Sequence, residues 1–166
     1  LKNLNVWGDA GVSVTRSPAI DHQLRLYRNH GLTNRDEVEL WGHNCRMDTL
    51  QAVIGNRLID QAVGITEKRI ANAKKFDEAF KDIPQIKVPP RKSNVKQVFH
   101  TYVIRVEERD RLHQHLIDQG IEAKIHYPIP LHLQKAAANL GYKPGDFPVC
   151  EHDCQTIVTL PVHQHL

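Results

Sequence analysis

Residues 47–83, MDTLQAVIGNRLIDQAVGITEKRIANAKKFDEAFKDI, decide the fold. The stretch has no proline, and apolar side chains recur at helical spacing: Leu50, Val53, Ile54, Leu58, Ile65, Ile70, Ala73, Phe76 and Phe80. An unbroken helix of that length would extend about 55 Å. That exceeds the diameter of a domain of 166 residues, so a kink or break is expected near Gly64. A long helix that leaves one compact body and enters another is the geometry of a two-domain connector, and the irregular spacing does not favour a coiled-coil arm.

On the N-terminal side, Gly11-Val-Ser-Val-Thr15 alternates and is β-branched, which reads as a strand. Ser17-Pro18 opens a helix that Gly31 ends, with Leu24 and Tyr27 expected to face inward. Thr33 to Asn44 reads as a loop. On the C-terminal side, residues 84–96 form a basic, proline-containing linker, after which the period changes to two. Val98–Val106 is expected as a strand, Glu108–Gln119 as a helix and Ile121–His126 as a second strand. The proline-fixed loop Tyr127–Gln134 follows, then short helices at Lys135–Leu140 and Pro148–Gln155 and a strand at Ile157–Leu160. The expected organisation is α/β: residues 1–46 as the tail of a larger domain, the helix over 47–83, the linker 84–96 and a small α/β domain over 97–166.

Composition excludes several classes. The chain is 40% hydrophobic and 25% charged with 9 Gly and 9 Pro, which is globular rather than disordered or collagenous. No apolar run approaches the ~20 residues that span a bilayer, and no signal-peptide pattern opens the sequence. A membrane partner is not expected, and the expected location is cytoplasmic. The net charge of +3 is concentrated in residues 65–96, where Lys68, Arg69, Lys74, Lys75, Lys81, Lys87, Arg91, Lys92 and Lys96 outnumber the acids. Phe76, Phe80 and Phe99 fall at core-like positions instead of interleaving with these charges, so no nucleic-acid partner is expected.

Three cysteines form no disulfide framework. Cys150 and Cys154, with His152, His163 and His165 nearby, suggest zinc only weakly, because the spacing lacks the ladders of structural sites. At i and i+4, both thiols are expected to point into a core from one helix face. No metal is expected.

No Walker-type glycine loop, GxSxG or HExxH motif is present. The resemblance lies in seven blocks. Leu1-Lys-Asn-Leu-Asn-Val-Trp-Gly-Asp-Ala-Gly-Val-Ser-Val-Thr15 is similar to the Schiff-base lysine segment of the DegT/StrS family, fold-type-I pyridoxal-phosphate enzymes that aminate nucleotide-linked keto-sugars. Arg28-Asn-His-Gly31 continues the likeness, and Gly42-His-Asn-Cys-Arg-Met-Asp-Thr-Leu-Gln-Ala52 resembles that family's GYNxRLDxLQAA. His100-Thr-Tyr-Val-Ile-Arg105, Gly120–Gln134, Gly141–Val149 and Leu160-Pro161 follow in the family's order and spacing. The resemblance covers the whole chain but only the C-terminal part of a family member, so the sequence is expected to be a fragment, inactive alone. Two departures stand out. Ala10 replaces a glycine, which would strain the chain if that position needs positive φ, and His43 stands where tyrosine is usual.

The resemblance implies roles. Lys2 matches the lysine that holds pyridoxal phosphate and shuttles the proton, and a lysine there separates the aminotransferases from the family's sugar dehydratases. Asn44 matches an asparagine that crosses a homodimer interface to the other subunit's cofactor phosphate. Arg46 has the planar fork that suits the carboxylate of the amino donor. His126, Tyr127 and His132, on the proline-fixed loop, are expected to contact the sugar nucleotide, whereas Tyr102 is expected in the core. The implied function is amino transfer from an amino acid, expected to be glutamate, to a nucleotide-linked keto-sugar in a homodimer with shared active sites. The product would serve amino-sugar and polysaccharide assembly. The alternatives are a non-catalytic regulatory or sugar-nucleotide-binding module, and a zinc-binding domain.

Overall fold

A computed structural model describes residues 2–166; Leu1, the first residue of the lysine block, lies outside the described residues. The chain forms two compact units, divided between Ala62 and Val63.

The first unit holds helices α1 (Pro18–Tyr27) and α2 (Thr49–Leu58) and a 3-10 turn, Ile59–Gln61. Ser17 caps α1 by accepting the amide of Ile20 at 3.4 Å, and Pro18 takes the first helical position, where a missing N–H costs nothing. The inward face of α1 differs from expectation: Leu26 is buried, while Leu24 and Tyr27 are exposed. Gly11–Thr15 is not a strand. No strand pairs with it among the described residues, and Val14 is 91% exposed. Alternation alone does not make a strand where nothing accepts its backbone hydrogen bonds.

The second unit holds all but the first residue of helix α3 (Ala62–Phe80), strands β1 (Ile86–Lys87), β2 (Tyr102–Val106) and β3 (Ile157–Leu160), and helices α4 (Arg109–Asp118) and α5 (Pro148–Thr156). Across residues 47–83 the helical run is interrupted by the 3-10 turn at Ile59–Gln61, three residues before Gly64, which itself lies inside α3. The strands form one antiparallel sheet in the order β1-β2-β3, with Ile86 opposite Val106, Tyr102 opposite Leu160 and Ile104 opposite Val158. Its first strand lies inside the segment read as a linker. Residues Ile121–His126 are not the second strand that alternation suggested. They contribute a single bridge, Lys124 to Thr159, because the loop leaves the sheet edge at once.

Tyr102, Ile104 and Val106 point to one face of β2 and pack with Val158, Leu160, Val162, Ala123, Phe99 and Ala73 of α3. Phe76 and Phe80 of α3 lie 5.1 and 6.3 Å from the Tyr102 ring. The Tyr102 hydroxyl donates to Asp77 at 2.7 Å, and Arg91 clamps the same carboxylate while its guanidinium lies 5.0 Å over Phe99. Burial pushes the Asp77 carboxyl up, but the Arg91 fork and the Tyr102 hydroxyl outweigh it and hold the group below its ordinary range. Lys96 pairs with Glu67 and Lys81 with Glu78, so with Arg91 three of these basic side chains are paired with acids of α3. The cysteines part company: Cys154 is buried, with burial pushing its thiol pKa up, while Cys150 is exposed on the same helix.

Candidate active-site segments

In the first unit the residues of interest are carried by a close crossing of two chain segments. Gly31 has φ 74, and a Cβ there would lie 1.6 Å from the Leu40 carbonyl oxygen; one on Gly42 would lie 2.5 Å from the Gly31 nitrogen. Only glycines allow the loop to press this closely on the end of α1. The amide of His43 donates to Tyr27 at 2.7 Å, His30 to His43 at 2.9 Å and Cys45 to Arg28 at 3.0 Å. These bonds set Asn44 opposite Asn29 in an antiparallel bridge.

The crossing fixes Arg46. Its Nε donates to Asn44 Oδ1 at 2.9 Å and its Nη1 to Asn29 Oδ1 at 3.2 Å. Two neutral amides therefore hold the guanidinium, and it forms no ion pair with a carboxylate among the described residues. Asn44, exposed, keeps its amide nitrogen for another partner. Asn29 is the residue that sequence reading passed over; it lies in the Arg28–Gly31 block, but nothing local marks its side chain as a partner for Arg46.

Lys2 is exposed, and the segment that follows it is held along α2. Val6 packs on Gly55, where an added Cβ would come within 3.2 Å of the valine methyl. Gln51 accepts the Asp48 amide at 3.2 Å and donates to the Asp9 carbonyl at 3.3 Å, linking the helix start to the lysine segment. The Asp48-x-x-Gln51 capping pattern was the available signal for this residue. Ala10 is not among the positive-φ residues, which here are Trp7 and Gly8. Its replacement of glycine therefore brings no left-handed strain. At His43 the backbone does the structural work, and the exposed ring replaces no buried contact.

The second unit carries the remaining candidates. His126 is exposed and its Nδ1 lies 3.1 Å from Thr159 Oγ1; the adjacent Tyr127 ring meets it edge-on at 5.4 Å. His132 is turned inward. Its side chain is 7% exposed, its Nε2 lies 3.0 Å from Glu151, and Phe147 and Tyr142 flank it at 4.8 and 6.4 Å. Glu151 also accepts the amides of Gly145 and Phe147, at 2.9 and 3.2 Å. The Gly145 amide first, then that of Phe147 and the His132 ring, hold its carboxyl below the usual range. Glu151 is a second residue that sequence reading missed.

The donor set suits the group that the resemblance implies. A free primary amine, a neutral amide nitrogen and an unpaired guanidinium are what an aldehyde bearing a phosphate, and a carboxylate substrate, would engage. Among the described residues no helix is long and apolar enough to cross a membrane.

Comparison with known proteins extends these observations. The model of the DegT/DnrJ/EryC1/StrS aminotransferase family matches residues 1–166. The erythromycin biosynthesis sensory transduction protein EryC1 of Saccharopolyspora erythraea is 38% identical over 165 residues, covering 99% of this chain and 45% of that protein. The dTDP-3-amino-3,4,6-trideoxy-alpha-D-glucose transaminase of Streptomyces venezuelae is 32% identical, covering 99% and 44%. The crystal structure of S. venezuelae DesV in complex with a ketimine intermediate superposes with a TM-score of 0.88 at 31% identity, over 92% of this chain and 41% of that one. The chain thus spans less than half the length of these relatives and has the α/β fold of the C-terminal portion of fold-type-I sugar aminotransferases. A glycine crossing that presents Asn44 and Arg46, a lysine segment held on α2 and a family match along the whole chain lead to one conclusion: the chain belongs to the DegT/DnrJ/EryC1/StrS aminotransferase family.

Proposed function

We propose that this chain is part of an enzyme that moves an amino group from glutamate to a nucleotide-linked keto-sugar with the help of pyridoxal phosphate. The observation that carries the reading is Lys2, an exposed primary amine in a segment held on α2, within a chain matched throughout by an aminotransferase family. The transaminase named for a dTDP-linked amino sugar supports the substrate class.

When bound, the cofactor would supply an aldehyde and an electron-withdrawing ring for chemistry at the Cα of the donor. The chain's own groups do the rest. Lys2 Nζ would hold the cofactor through its aldehyde and would take and return the proton at the donor's Cα. Asn44 donates its amide N–H to a phosphate oxygen and adds no charge, its carbonyl end being held by Arg46. Arg46, pinned at Nε and Nη1, offers its remaining N–H groups to the donor's carboxylate. His126 and Tyr127 would contact the diphosphate and sugar, and His132 supports that loop from inside through Glu151.

The protein works as a homodimer in which Asn44 serves the partner's cofactor. A subunit-mixing experiment on the full-length protein tests this reading. Lys2→Ala and Asn44→Asp homodimers are each expected to be nearly inactive in glutamate-dependent amination. After subunit exchange, about half the dimers carry both lesions at one site and none at the other, so activity recovers to roughly a quarter of wild type. No recovery, with exchange verified by mass, contradicts the shared site. Full activity of Lys2→Ala alone contradicts the catalytic assignment.

A further inference from the structure

We propose that Thr159 is a positioning residue for His126, fixing the imidazole so that its Nε2 is presented to the diphosphate of a sugar nucleotide. The inference rests on the reading of His126 as a ligand contact given above, and it starts from a residue that looks out of place. In β3, Val158 and Leu160 point into the apolar core, so Thr159 faces the other side of the sheet. It is only 5% exposed. At a buried strand position flanked by core residues, valine would fill the same space without a hydroxyl to satisfy, and a buried hydroxyl without a partner is costly. Here the Thr159 hydroxyl has a partner: Nδ1 of His126, 3.1 Å away.

The same residue also holds the backbone that leads to His126. Thr159 N donates to the Lys124 carbonyl at 2.7 Å and Lys124 N donates to the Thr159 carbonyl at 3.0 Å. One residue thus sets both the path of the loop two positions before His126 and the rotation of its ring. The Tyr127 ring meets the imidazole edge-on, with ring centroids 5.4 Å apart. With Nδ1 committed, Nε2 is the nitrogen left for a ligand on an exposed residue.

A hydroxyl is well suited to this task because it both donates and accepts. It donates to an unprotonated Nδ1 and accepts from Nδ1–H, so it holds the ring in either tautomer. A valine would release the ring, and a serine would keep the bond.

The test measures dTDP affinity by calorimetry on the full-length protein for wild type, His126→Ala, Thr159→Val, Thr159→Ser and the double variant Thr159→Val/His126→Ala. Loss of the fixing bond is expected to weaken dTDP binding about three- to tenfold in Thr159→Val, while Thr159→Ser stays within about twofold of wild type. The double variant is expected to bind no more weakly than His126→Ala, because Thr159 acts only through that ring. In ¹⁵N NMR of the imidazole, Thr159→Val shifts the His126 Nδ1 resonance and Thr159→Ser does not. If His126→Ala weakens binding and Thr159→Val does not, the positioning role is overturned and the ligand contact stands. Equal weakening by Thr159→Val and Thr159→Ser, or additivity with His126→Ala, overturns it in favour of packing. If His126→Ala binds dTDP as wild type does, the underlying assignment of His126 fails, and the positioning role fails with it.

Discussion

The two units of this chain are held together in different ways. In the second, Tyr102, Ile104, Val158 and Leu160 close a sheet over α3, and the apolar pattern of the sequence becomes a core. In the first, Leu26 is the buried apolar side chain among the described residues, while Trp7, Val12, Val14, Trp41, Leu50 and Val53 are exposed. Its order comes from backbone hydrogen bonds across the Gly31–Gly42 crossing, from the Gln51 link and from helix caps. Unit two is organised by burial, and unit one by close backbone approach around the residues expected to meet ligands. The candidate site side chains of the first unit stand on a frame that packing alone does not specify.

The largest expected effect sets one core position against one exposed position. Ile104, 1% exposed, is predicted to cost about 2–5 kcal/mol on replacement by alanine, through lost burial and the cavity left behind. Val14→Ala is predicted to change stability by no more than about 0.5 kcal/mol. Hydrogen exchange of the β2 amides, compared with global denaturation, checks both, and similar costs at the two positions would erase the distinction between the units.

Next in size is Gly31→Ala. The left-handed φ and the collision with Leu40 predict a local loss of about 2–3 kcal/mol. It is to be read as faster exchange of the His43 and Cys45 amides, with the β2 and β3 amides unaffected. Spreading of the effect into the sheet would show that the crossing does not act locally.

A smaller effect depends on pH. The folded-state pKa of Asp77 lies below its ordinary value, so the stability it contributes is complete above about pH 4 and is lost as pH falls through the lowered value. The Tyr102 phenol, pushed up by burial and then by Asp77, behaves oppositely. Its contribution is complete below about pH 10 and is lost as pH rises further. Asp77→Asn is predicted to cost about 1–2 kcal/mol at neutral pH and to flatten the acid limb of the stability profile in the second unit. An unchanged acid limb in this variant would remove the carboxylate from the account.

What the sequence made legible follows the same division. Val98–Val106 and Ile157–Leu160 announced their strands because both alternation and burial act there, and β2 and β3 lie inside those runs. Ser17-Pro18 announced α1 through capping chemistry that needs no tertiary partner. Gly11–Thr15 carried the same alternation without a strand beside it to complete the hydrogen bonds, and Ile121–His126 meets β3 only through the Lys124 bridge, so neither became a strand. The interruption expected near Gly64 falls at Ile59–Gln61, and Gly64 itself stays helical, since one glycine costs only about 1 kcal/mol in a helix. In the candidate site, Asn44 and Arg46 were readable from their motif. Asn29, Glu151 and Thr159 were not, because each acts by reaching across the fold to a residue at least 15 positions away, where no local spacing records the contact.

The central claim is that Lys2 carries the cofactor, and it can be tested without an assay of turnover. The full-length protein is mixed with pyridoxal phosphate, reduced with borohydride and digested, and the modified peptide is located by mass spectrometry. The account predicts one phosphopyridoxyl group per chain, on Lys2, and none in Lys2→Ala. Modification spread over other lysines, or an unmodified Lys2 in protein that binds the cofactor, would contradict it.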